Sequence, residues 1–184
     1  MEQDNQLPFH LWVTAAGTVA SAVSITIDYD DLNLIGNALQ AVGNGLAANQ
    51  GRIFTIETAG SLIQSSGNTA IIYSLLADLP ENEQLSLVIK GNLLQALGGS
   101  AAFSGTLTGP SAPYSIYTLN GQLMEVIGNS MQAVGTGKER RGEEGYALNL
   151  IGSWIQAGGA VLSALAGSAQ LNHEIKDGEH PSFI

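Results

Sequence analysis

Glycines recur in this chain at seven-residue intervals, with a glutamine four residues after the first of each pair. The frame is complete in Gly36-Asn37-Ala38-Leu39-Gln40-Ala41-Val42-Gly43 and returns as Gly60, Gln64, Gly67 and as Gly91, Gln95, Gly98. Gly121, Gly128 and Gly135 form a doubled copy, with Glu125 and Gln132 in the glutamine slots. The last copy runs from Gly152 through Gln156 to Gly159. A degenerate first copy aligns Leu11–Val23 with Ser153–Leu165, so that Trp12 answers Trp154 and Gly17 answers Gly159, while Thr14 replaces the glutamine.

The spacing selects helix over strand. Side chains alternate along a strand, so glycines seven apart would fall on opposite faces. In a helix, offsets of zero, four and seven share an arc of roughly 60°. Gly36, Gln40, Gly43 and Ala47 therefore form one stripe. Ile35, Leu39, Val42 and Leu46 form an aliphatic ridge beside it, and Asn37, Ala41, Asn44 and Ala48 an amide-bearing edge. One copy corresponds to one helix plus a loop. The chain is thus expected to be all-α, with about six mostly antiparallel helices in a compact bundle or short solenoid spanning residues 1–170, and a polar acidic tail over 171–184.

The breaks agree with that frame. The run Asp28–Asp31 offers N-cap candidates before Leu32, and Asp78–Glu83 places Pro80 and two acids at a helix start. Gly105–Ser115 reads as the one long Gly/Pro/Ser loop, and Gly135–Gly145 as a charged connection. The β-branched stretches SITIDY and GRIFTIET read as short strands or extended connectors.

A glycine inside a helix costs about 1 kcal/mol relative to alanine, and roughly a dozen of them approach a domain's whole net stability. Close backbone contact is what can offset that loss. The repeat glycines and glutamines are therefore the expected helix-contact residues, each amide finding its partner on a neighbouring helix.

Charge narrows the partners. The net charge is −10, which argues against nucleic acid and against electrostatic docking on anionic lipid. Only 12% of residues are charged, and within the repeat frames essentially only Glu57, Lys90 and Glu125 are. Such uncharged helix faces must be covered by sister copies or by lipid. A membrane-spanning helix needs about 20 predominantly apolar residues, and every copy here carries amides, serines and glycines. The sequence therefore favours a non-enzymatic structural protein that associates with itself, through its glycine and glutamine faces, into an oligomer, filament, sheet or crystal-like assembly. A membrane-associated or pore-forming helical protein is the alternative. The acidic start MEQDNQ lacks the basic region of a secretory signal, so cytoplasmic synthesis without a signal peptide is expected.

No catalytic constellation emerges. There are three histidines, and neither a Gly-x-Ser-x-Gly elbow nor a phosphate-binding loop is present. Cysteine is absent, which removes disulfides and thiolate metal sites. The run His173–His180 has the side chains of a chelator but reads as a solvated tail, and Asp28–Asp31 lacks the glycine and closing glutamate of a calcium loop. No catalytic residue, cofactor or metal ligand is assigned. Glu125 reads as partly exposed or bonded to a neighbouring amide, with a buried acid as the alternative. Trp12 and Trp154 read as large core residues capping the two ends of the array.

The frames LNLIGNALQAVGNGL, LVIKGNLLQALGGS and LNLIGSWIQAGGAVLSAL resemble a family of small repetitive proteins of spore-forming Gram-positive bacteria whose function is unknown. The likeness runs from about Leu11 to Gly167 and departs from the family pattern at Thr14 and in the doubled fourth copy. It implies a bacterial source and a repeat, and it brings no catalytic residue with it.

Overall fold

The computed structural model describes residues 8–50 and 53–178. Among them six helices follow one another: α1 (Phe9–Ile27), α2 (Asp30–Ala48), α3 (Ile56–Leu76), α4 (Glu81–Thr108), α5 (Ser115–Glu139) and α6 (Tyr146–Asp177). No strand occurs among the described residues. The β-branched run after Ser24 ends α1, and Ile53–Thr55 is a short connector; Gly51 and Arg52 lie outside the described residues. Thr55 caps α3 by accepting from the Thr58 backbone N–H at 3.2 Å. Asp28 closes α1 in the left-handed region (φ 54°) instead of capping α2, whose first turn carries Asp30 and Asp31. Pro80 sits just before α4, with Glu81 and Glu83 in the first turn. The segment expected to be a tail after residue 170 is helical as far as Asp177.

Consecutive helices pair α1 with α2, α3 with α4 and α5 with α6; α2 then meets α3, α4 meets α5, and α1 meets α6. The last contact closes the array into a ring, so the molecule is a six-helix barrel of antiparallel neighbours and not an open solenoid.

Glycine sets the register of each hairpin. Gly17 faces Gly36, Gly60 faces Gly98, Gly67 faces Gly91, Gly121 faces Gly159, Gly128 faces Gly152, and Gly135 faces Gly145. Seven residues up one helix is seven residues down its partner. A β-carbon at Gly60 would sit 2.5 Å from the Gly98 carbonyl oxygen, and one at Gly128 2.5 Å from that of Gly152. Gly43 meets the backbone of His10 and Thr14 in the same way. Backbones this close leave no room for a side chain, and the contact is made by dispersion and Cα–H···O approach.

The side chains are sorted in the reverse of the usual sense. Among the described residues, nine of the ten buried hydrophobic residues are alanines and the tenth is Ile71. Beside them are buried Thr18, Asn37, Gln40, Asn68, Gln95, Asn129, Gln156 and further serines and amides. The aliphatic ridge of α2 faces outward, with Ile35, Val42 and Leu46 all exposed, as are Leu93 and Leu97 on α4 and Leu123, Ile127 and Val134 on α5. Trp12 and Trp154 are exposed as well and are not core residues. They bridge the α1–α6 seam: the Trp12 indole donates to Ser168 Oγ at 2.9 Å and the Trp154 indole to Thr26 Oγ1 at 3.1 Å.

Candidate functional site: the polar axis

Four repeat glutamines meet on the axis of the barrel. Gln132 Nε2 donates to Gln156 Oε1 at 2.9 Å, and Gln156 Nε2 donates to Gln40 Oε1 at 3.0 Å and to Gln95 Oε1 at 3.2 Å. Gln40 Nε2 in turn donates to Ser21 Oγ at 3.1 Å. All four glutamines are buried, and the network ties together α1, α2, α4, α5 and α6. An amide carries donor and acceptor on one planar group, so amides can chain across an axis without any charge. Within the stripe on each helix the glycines thus serve the hairpin and the glutamines serve the centre.

The amide cluster separates two cavities, each lined by all six helices. The larger, about 320 Å³, has the four glutamines at its base. Its wall carries Ser21, Asn37, Asn92, Thr136 and Asn149, with Asp28, Asp30 and Glu139 at the end where the α1–α2 and α5–α6 connections lie. The smaller, about 100 Å³, lies towards the other end and is lined by His10, Thr14, Asn44, Ser61, Gln64, Thr118, Gln122, Glu125 and Ser163 among others. Gln64 therefore stands on the axis too, one cavity away from the other repeat glutamines. Glu125, in its glutamine slot, accepts from Ser163 Oγ at 3.2 Å instead of bonding to an amide.

The periodicity pointed to the glutamines and to the edge of Asn37 and Asn44. It missed Ser21, Thr136, Asn149 and Ser163, whose only signal in sequence is a small polar residue within a charge-free helix. In the run His173–His180, His173 lies edge-on to Tyr114 with ring centroids 6.3 Å apart, while Glu179 and His180 lie outside the described residues. Among the described residues no three His, Asp or Glu side chains come together as metal ligands.

Charges gather at the two ends of the barrel. In the α5–α6 connection Arg141 Nε donates to Glu143 at 2.6 Å, and that hydrogen bond holds the Glu143 carboxyl below its ordinary range. Between the end turns, Lys90 on the exterior and Glu125 on the axis are the charged side chains of the described helices. Exposed hydroxyls in this belt turn back on their own helix: Ser66 donates to the Leu62 carbonyl, Thr69 to that of Ser65 and Ser100 to that of Ala96.

No curated protein and no solved structure matches this chain. A family model matches residues 6–164, and on that match the chain belongs to a family of unknown function, DUF6944.

Proposed function

We propose that this chain is a non-enzymatic, membrane-embedded barrel, with its aliphatic surface in lipid and its polar axis serving as a chamber for small polar solutes. The observation that carries this reading is the sorting of side chains: large apolar groups face outward on all six helices, while alanine, serine and amides fill the inside. In water, burial of apolar area drives folding, and a chain of this kind would have little to bury. In a bilayer that force between helices disappears. Association then rests on close packing of small residues and on interhelical hydrogen bonds, which are the two devices present here.

Four features support it. At 1.5 Å per residue the 19 residues of α1, and of α2, span about 28 Å, near the 30 Å of a hydrocarbon core. Exposed aromatic residues form two girdles: Tyr29, Tyr73, Tyr146 and Trp154 towards one end, Phe9, Trp12, Phe54 and Tyr117 towards the other. The hydroxyls bonded to their own helix carry no unmet group into the lipid-facing belt. Phe9–Ile27 and Tyr146–Lys176 are long and apolar enough to cross a bilayer by composition alone. The other four described helices do not meet that test.

Self-association through the glycine and glutamine faces, the reading the sequence favoured, meets a geometric obstacle, since those faces are occupied within the chain. A second copy would meet the aliphatic exterior instead. Alkaline carbonate washing of membranes from cells expressing the protein separates the readings. Retention in the pellet until detergent is added is the expected result. Recovery of a monodisperse 19.1 kDa species without detergent would overturn the proposal, and regular particles in detergent-free micrographs would favour self-assembly.

A further inference from the structure

The smaller axial cavity contains a carboxylate that the packing of the barrel does not require. Glu125 fills a slot that is glutamine at Gln40, Gln64, Gln95, Gln132 and Gln156, so shape and length are already served by the neutral amide. What glutamate adds is charge. Its Oε1 accepts from Ser163 Oγ at 3.2 Å. Gln122, on the same wall, gives its amide nitrogen to Thr106 Oγ1 at 3.1 Å and leaves a buried Oε1 without a hydrogen-bond partner. Among the described residues neither lysine nor arginine lines the cavity, and His10, the other titratable group described there, meets the Gln50 side chain through Nδ1 at 2.8 Å. The wall is therefore rich in acceptors and poor in positive charge.

We propose that this cavity binds one alkali-metal cation, with the Glu125 carboxylate as the charged ligand and the Gln122 carbonyl and Ser163 hydroxyl as neutral oxygen ligands. A buried carboxylate either takes up a proton or pairs with a positive charge, and one carboxylate neutralises one monovalent cation. Divalent ions are held by several carboxylates, and among its described lining residues the cavity offers one. Its volume of about 100 Å³ takes an unhydrated ion with about two waters at roughly 30 Å³ each. The inference deepens the reading of the axis as a solute chamber and rests on it.

The test is the melting temperature of the purified full chain in sodium, potassium or choline chloride at one ionic strength. A saturable rise in sodium or potassium over choline is expected, and it should vanish in Glu125→Gln while the helical signal is kept. Gln122→Ala should move the cation midpoint up by roughly tenfold. Equal melting in the three salts, or an unchanged cation shift in Glu125→Gln, would overturn the site. If Glu125→Gln loses its helical signal, an unchanged midpoint in Gln122→Ala overturns it instead. The assay runs in whatever buffer keeps the chain monodisperse. A detergent-free soluble chain that shows the shift therefore overturns the membrane reading alone, and a membrane-bound chain without the shift overturns the site alone.

Discussion

Gln156 and Gln40 meet at 3.0 Å on the axis of the barrel although 116 residues separate them in sequence. The same nitrogen of Gln156 also reaches Gln95, and its carbonyl receives Gln132. One side chain thus serves three partners. Gln156→Leu would leave those three buried amides short of a partner, at about 1–3 kcal/mol each. A loss of roughly 3 kcal/mol or more is expected in a denaturation series. Gln64→Leu, outside this network, should cost distinctly less, and equal losses would mean that the central amides have no special weight.

Gly98 and Gly45 separate the two meanings of glycine in these helices. A β-carbon at Gly98 would collide with the Gly60 carbonyl oxygen and with the Gln64 backbone, neither of which can yield. At Gly45 it would meet nothing within 4 Å. Gly45→Ala should therefore raise stability by about 0.5–1 kcal/mol through helix propensity and chain entropy. Gly98→Ala should lower it despite the same gain in propensity, and Gly98→Leu should lower it further. A higher melting temperature for Gly98→Leu would contradict the close backbone contact.

This contrast also marks what could be read from the sequence. A seven-residue spacing with glutamine inside it is a statement about one helix, so six helices and their stripes follow from local geometry. Whether a ridge such as Ile35, Val42 and Leu46 turns inward or outward depends on the surrounding solvent, and periodicity is blind to that. The usual expectation that large side chains go inside also misplaced Trp12 and Trp154. Ring closure depends on α1 meeting α6 across the whole length of the chain, and no local pattern encodes it. Glycine and glutamine share a stripe in sequence, yet the hairpin uses one and the axis the other, a division visible only once three hairpins are assembled.

The tryptophans offer a direct probe of surroundings. Trp154 bonds to Thr26 in the last turn of α1 and Trp12 lies in its first turn, so the two indoles stand about 21 Å apart along the helix, one in each girdle. Trp12→Phe and Trp154→Phe leave one indole each. In vesicles of brominated lipid both should be quenched, more strongly by bromine near the headgroup than by bromine at the chain terminus. Quenching by a water-soluble agent with no response to bromolipid would place them in water.

A single charge on the exterior distinguishes lipid from water by its sign. Val42 is exposed on α2, within the aliphatic ridge and more than one turn from either end. In a water-soluble protein Val42→Lys would be an ordinary surface change, within about 0.5 kcal/mol of neutral, and would improve solubility. In a bilayer the ammonium would start about 9 Å inside the nearer end of the helix, at a cost of up to about 2.5–3.5 kcal/mol, part of which its stem would recover by reaching towards the headgroups. Lys90 on α4 is already such an exterior charge, nine residues from the start of its helix, and in a bilayer would reach the headgroups only through its stem. Val42→Lys should therefore lower the fraction of protein retained in carbonate-washed membranes, while Val42→Leu leaves it unchanged. More soluble protein from Val42→Lys at undiminished melting temperature would show that water, not lipid, surrounds the ridge.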